Sequence, residues 1–240
     1  MCKKIPFILL VLYVSLISCD SIENNSRIAF ELKVTDEENQ PLSDIDVNAS
    51  LRDTSTGVAF FIFPSFEGFE ALIGVGSTDT QGEVSLISLN PELSLNEIAV
   101  VINGDEQFGE SSVNQEYGIV IYQLDSIASR TTILPNTTLK RSATLEVEIV
   151  DVPEIEGSLD YSITYATRIQ QFRFPSGEES ISNTIQESGL PAPTGIITLE
   201  TLQNTTAIFA YSLTLSSGAV ESNTIEIPIN QETAQYAFEF

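Results

Sequence analysis

Carboxylates are the only reactive side chains this chain holds in quantity: 34 Asp and Glu stand against 10 Lys and Arg in 240 residues, a formal net charge of −24. Three groups lie close enough in sequence to act together: Asp36 with Glu37 and Glu38, Asp44 with Asp46, and Asp105 with Glu106. Oxygen-rich clusters of this kind bind Ca²⁺ when loops bring them to one point. None carries the Asp-x-Asp-x-Asp-Gly spacing of a calcium loop, so solvated turn acids are expected, with no metal ligand and no cofactor. Two carboxylates are also the minimum for glycoside hydrolysis, but small strand-rich domains rarely supply the large cleft that reaction needs. The chain has no His and no Trp. That removes the commonest general base and the commonest transition-metal ligand. No Gly-x-Ser-x-Gly elbow or phosphate-cradling loop is present either. No catalytic residue is assigned, and a non-enzymatic function is expected. The charge also argues against nucleic acid as a partner, because phosphates call for clustered Lys and Arg.

Cysteine occurs twice, at Cys2 and Cys19. Cys19 follows the basic Lys3-Lys4 and an apolar run from Ile5 to Ile17. That run is short of the roughly 20 residues of a membrane span but matches the apolar stretch of an export leader. Leu16-Ile17-Ser18-Cys19 resembles the bacterial lipobox, with a hydrophobic residue three positions before the thiol and a small one just before it. The resemblance implies a lipoprotein signal peptide over residues 1–18, acylation of Cys19 as the mature amino terminus, and a membrane held through the lipid anchor. Several acyl chains, at about 0.8 kcal/mol per buried CH₂, hold durably. An ordinary secretory leader with an incidental Cys19, or a short uncleaved anchor, are the other readings. Cys2, Lys3 and Lys4 leave with a leader. The mature chain then has no thiol for a disulfide and a still more acidic surface, which anionic headgroups repel. The expected location is the cell envelope, lipid-anchored at the outer membrane, with the periplasmic or surface side open.

Residues 19–26 read as a short polar tether. Asp20-Ser21-Ile22 and Asp125-Ser126-Ile127 resemble an O-glycosylation pattern of some exported bacterial proteins, but a three-residue match is weak and two solvated turns are the expected reading.

Behind these residues the patterning is that of strands throughout. Ile28, Phe30, Leu32 and Val34 alternate with Ala29, Glu31 and Lys33, which predicts a half-buried strand. Asp36 to Leu42 then reads as a turn, with Asn39 suited to the left-handed conformation and Pro41 ending the ladder. Val34-Thr35-Asp36, Asn39, Pro41-Leu42 and Ile45-Asp46-Val47, with Thr78-Asp79-Thr80-Gln81-Gly82-Glu83-Val84-Ser85-Leu86 downstream, resemble the carboxypeptidase regulatory-like domain. The resemblance implies a transthyretin-type, Ig-like Greek-key sandwich over residues 27–137, serving as a spacer or binding module. That family has no catalytic residues to carry over. It usually has Gly where Asn39 stands and often an aromatic where Val84 stands. Ile119 to Tyr122 and Ile133 to Leu139 are expected to close this domain.

Between Gly57 and Gly74 the pattern changes, with Phe60, Phe61, Phe63, Phe66 and Phe69 surrounding Pro64 and Gly68. Either Phe61 and Phe63 enter the core while Phe66 and Phe69 cap one end, or the cluster protrudes and meets an unknown protein or glycan.

Residues 138–240 repeat the strand rhythm at Leu145 to Ile149, Leu159 to Tyr165, Phe172 and Phe174, Ile197 and Leu199, Phe209 to Leu215, Ile225 to Ile229 and Tyr236 to Phe240. About seven short strands separated by turn residues predict a second Ig- or fibronectin-like sandwich. The closing Tyr236, Phe238 and Phe240 have the alternation of a membrane-barrel strand, but most runs fall short of the roughly 10 residues such strands need. The expected fold is thus all-β, two tandem Ig-like Greek-key sandwiches behind a lipoprotein leader. The expected role is a binding or structural module of the cell envelope, with an accessory subunit of an envelope transport or adhesion complex as the alternative and a carboxylate glycosidase trailing both.

Overall fold

The computed structural model describes residues 27–53, 70–89, 96–104, 113–124, 130–150, 157–175, 179–190 and 195–239. Cys19, the five phenylalanines from Phe60 to Phe69, the Asp105 and Glu106 pair and both Asp-Ser-Ile triplets lie outside the described residues. Within the described residues the chain forms fifteen strands and no helix.

β1 (Arg27–Thr35) buries Ile28, Phe30, Leu32 and Val34 on one face, as its alternation requires. In the same sheet it pairs antiparallel with β4 (Glu83–Leu89) and parallel with β7 (Thr131–Ile133) and β8 (Thr137–Thr138). The facing sheet runs β3 (Glu70–Ser77), β2 (Asp46–Asp53), β5 (Asn96–Ile102), β6 (Ile119–Leu124). Between the two sheets Phe30, Val34, Ile45, Val47, Ile98, Val100, Ile102, Val120, Tyr122 and Leu139 make the first core. The unbroken apolar runs of β5 and β6 have a cause. Ala99, Val101, Ile119 and Ile121 on their other face are buried too, in a separate cluster with Ile169.

The turns follow local chemistry. Asn39 adopts φ 62° and Gly82 φ 72°. A Cβ on Gly82 would run into the Val34 carbonyl oxygen. Asp36 is buried rather than solvated, and its Oδ1 accepts the Gln40 N–H at 2.7 Å, closing the turn.

The second core lies between a three-stranded sheet and part of the large one. β9 (Ser142–Val150) is the central strand of the former, antiparallel to β12 (Gly195–Leu202) and parallel to β15 (Thr233–Glu239). β13 (Thr205–Leu215) and β14 (Val220–Ile229) face it together with the first half of β10 (Gly157–Phe174). Leu145, Val147, Leu159, Tyr161, Ile163, Phe209, Ile229 and Phe238 fill the space between.

Two elements differ from the expected set. Leu159 to Tyr165 and Phe172 with Phe174 are two stretches of the single strand β10. What breaks their alternation is a bulge: from Ala166 to Gln171 β10 advances five residues while its partner advances only from Ser182 to Ser180. That partner, β11 (Glu179–Leu190), has no alternating large apolar residues and so gives no strand signal in the sequence.

β10 crosses from one core to the other. At Tyr161 its neighbours are Glu187 of β11 and Tyr211 of β13; at Gln171 they are Ser180 of β11 and Ile121 of β6. β11 therefore accompanies both halves of β10, while β13 and then β6 occupy the opposite flank. One hydrogen-bonded sheet of eight strands serves both sandwiches, and it runs past the boundary expected between residues 137 and 138.

Candidate functional site

Among the described residues, hydrogen bonds gather where β10 passes between the cores. The stretch from Leu139 to Ser142 that joins the sandwiches is laced to both. Lys140 O accepts the Gly118 N–H at 2.9 Å, Arg141 O accepts the Gln203 N–H at 2.8 Å, and the Ser142 N–H donates to Glu116 O at 2.7 Å. Leu202, fully buried, belongs to neither core and packs here against Gly118. The bulge is fixed by hydroxyls, Thr201 Oγ1 on the Ala166 carbonyl at 2.7 Å and Thr167 Oγ1 on the Ile169 carbonyl at 2.6 Å. Beneath it Asn103, 0% exposed and at φ 61°, donates through Nδ2 to the carbonyls of Asn114, Tyr117 and Gly118 and accepts the Asn114 N–H. Sequence reading passed over Asn103. Its one signal is an Asn-Gly pair ending the apolar run of β5.

Two clefts flank this junction. The first, about 560 Å³, is lined by Gln115, Glu116, Arg141, Arg168, Glu200 and Glu232 among others. Its two arginines already face carboxylates of the protein. Arg168 Nη1 lies 3.2 Å from Glu200 Oε2 and its Nη2 donates to Gln115 O at 3.4 Å, while Arg141 lies 3.4 Å from Glu116. Pairs this exposed contribute at most about 1 kcal/mol each. They orient side chains across the junction rather than hold it shut.

The second cleft, about 450 Å³, opens between β8 and the last residues of β10. Tyr122, Phe172 and Phe174 form its floor, with Asn136, Thr137, Thr138 and Gln170 among the lining groups and Lys140 at the side. The Tyr122 and Phe172 ring centroids stand 5.5 Å apart at 30°. The Tyr122 hydroxyl lies 3.1 Å from Thr137 Oγ1, which fixes the ring. Among the described residues no carboxylate lines this cleft, and none forms an ion pair with Lys140.

Burial pushes the Tyr122 phenol above its ordinary value of 10.0, and the bond to Thr137 pulls part of the way back. A phenol raised in the folded state leaves stability intact below the unfolded value and costs it as pH rises through the folded one. Tyr122→Phe should therefore move the midpoint of alkaline unfolding, followed by far-ultraviolet circular dichroism, to higher pH. An unmoved midpoint would assign the alkaline transition to other groups, such as Tyr117 and Tyr236, which burial also raises.

Of the expected acidic groups, Asp36 serves its own turn, and Glu37 Oε2 accepts from Asn204 Nδ2 at 3.0 Å, tying that turn to the second sandwich. Among the described residues no set of three Asp, Glu or Cys side chains converges as a metal site.

No family model matches the sequence, and no curated protein matches it. Solved structures resemble it weakly. The Bacillus anthracis TIE protein shares 11% identity over 90% of this chain at a TM-score of 0.27, and the chain spans about a third of its length, 34%. A minor pilin of Streptococcus agalactiae shares 10% identity, covering 88% of this chain and 94% of the pilin, with a TM-score of 0.30. The tip fimbrial protein Mfa3 of Porphyromonas gingivalis shares 12%, covering 83% and 81%, at 0.29. At such scores the likeness adds nothing to the all-β sandwich architecture that the strand pairing itself establishes.

Proposed function

We propose that this chain is a non-enzymatic lipoprotein of the cell envelope, tethered through Cys19, whose two fused sandwiches act as one binding or structural unit held off the membrane. One observation carries the reading: β10 threads both cores in a single hydrogen-bonded sheet, so load or ligand contact at one sandwich is transmitted to the other without a flexible linker. The acidic surface supports it, because a net charge of −24 keeps a tethered domain soluble and clear of anionic headgroups. The leader and lipobox-like Leu16-Ile17-Ser18-Cys19 supply the tether.

The test is direct. Full-length protein expressed in a bacterial host should partition into detergent, with mass spectrometry locating acyl chains on Cys19. Cys19→Ala should leave the protein soluble or in an unprocessed form. Recovery of a mature amino terminus at another residue, or of an unmodified thiol in membrane-bound protein, would overturn the tether.

A further inference from the structure

We infer that the cleft between β8 and the end of β10 is a binding site for an anionic saccharide, one that carries a uronate or a sulfate. This assignment deepens the reading of the chain as a binding module and rests on it. Three features of the cleft point to such a ligand. The first is charge. Among the described residues the lining contains no carboxylate, and Lys140 stands at its side with no carboxylate partner among them. Four of the chain's ten basic residues, Lys140, Arg141, Arg168 and Arg173, gather at this junction, but those of the neighbouring cleft already face Glu116 and Glu200. The charged side chains of the described lining, Lys140 and Arg173, are both positive, which favours an anion over a cation there.

The second is the floor. Phe172 and Phe174 are half-buried and packed on the first core, so they present fixed apolar surface at no cost in side-chain ordering. Sugar rings have apolar C–H faces that suit such a floor, with hydroxyls around the rim. Asn136 and Gln170 offer amides that both donate and accept, and Thr138 offers a hydroxyl. Its volume of about 450 Å³ lies within the span of small-ligand sites.

The third is what the walls lack. An acidic peptide would match the charge, but an extended peptide docks by laddering along a free strand edge. Here β8 is only two residues long, Pro135 precedes it and Pro175 ends the opposite wall, each without an N–H to give. Side-chain amides and hydroxyls therefore do the recognising, which favours a polyol over a backbone.

Oligogalacturonate, its carboxyl-reduced neutral counterpart and an oligoglutamate peptide, each titrated against the full chain by calorimetry, test the assignment. The acidic oligosaccharide should bind, more weakly as salt rises, and Lys140→Ala should weaken it at least about tenfold. Lys140→Arg should restore most of that loss. Asn136→Ala, at an exposed position where folding is safe, should also weaken binding. Equal binding of the neutral sugar would overturn the role of charge, and equal binding of the peptide would overturn the saccharide. No binding of oligogalacturonate, or binding indifferent to Lys140, would overturn the site while leaving the binding-module reading in place. Shortening of the oligosaccharide during the titration would overturn that reading itself.

Discussion

Phe209→Ala should remove about 3–5 kcal/mol of stability, and the loss should not stay in the second sandwich. Phe209 is fully buried at the centre of an aromatic cluster, its ring centroid 5.0 Å from Phe238, 5.8 Å from Tyr161 and 6.0 Å from Tyr211 and Tyr236. Truncation leaves a cavity that four rings cannot close, because each is also held by its own strand, and ring pairs add about 0.5–1.5 kcal/mol beyond their buried area. Tyr161 belongs to β10, whose later residues Ile169 to Phe174 pair with β6 in the first sandwich. Loosening the first half of β10 therefore frees a strand that the first core also needs. Hydrogen exchange read by mass spectrometry should show protection falling together in β13 and in β6. If β6 keeps its protection while β13 loses it, the two sandwiches are energetically independent despite their shared sheet.

How much of this was readable before the fold was known depended on how local each signal is. β1 declares itself through Ile28, Phe30, Leu32 and Val34, and Asn39 through the turn around it, because alternation and left-handed backbone are properties of a few adjacent residues. The bulge in β10 has the same local trace as a turn, polar residues interrupting an apolar alternation, so Thr167 and Arg168 divided one strand into two. β11 was silent because its side chains do not alternate. The parallel pairing of β10 with β6 joins Ile169 to Ile119, fifty positions apart, and nothing in either stretch specifies the other. The saccharide cleft was hidden for this reason. Lys140, Asn136 and Phe174 come together only once that pairing has formed. Conversely, the features most visible in the sequence, Cys19 and the five phenylalanines from Phe60 to Phe69, lie outside the described residues.

Gly118→Val should open the junction between the sandwiches and cost about 1–3 kcal/mol. Nothing in the sequence distinguishes Gly118, and its φ needs no glycine; the constraint is space. A Cβ there would stand 2.6 Å from Leu202 Cδ2 and 2.7 Å from the Arg168 carbonyl oxygen. The leucine methyl can turn aside. The carbonyl cannot move as easily, since it sits in the bulge that Thr201 and Thr167 hold through the carbonyls on either side of it. The backbone of Gly118 is also fixed, by its N–H on Lys140 O and its carbonyl on Asn103 Nδ2. Relief must then come from the connecting stretch, where the Ser142 N–H donates to Glu116 O of the first half and the Arg141 carbonyl accepts the Gln203 N–H of the second. In the variant those two amides should exchange early, ahead of β1 and β13, as detected by nuclear magnetic resonance. Leu202→Ala added to Gly118→Val removes one of the two clashes and should recover part of the stability, whereas in the parent chain the same change only leaves a cavity. If Ser142 and Gln203 stay protected in Gly118→Val, the close packing at Gly118 contributes nothing to the coupling of the sandwiches.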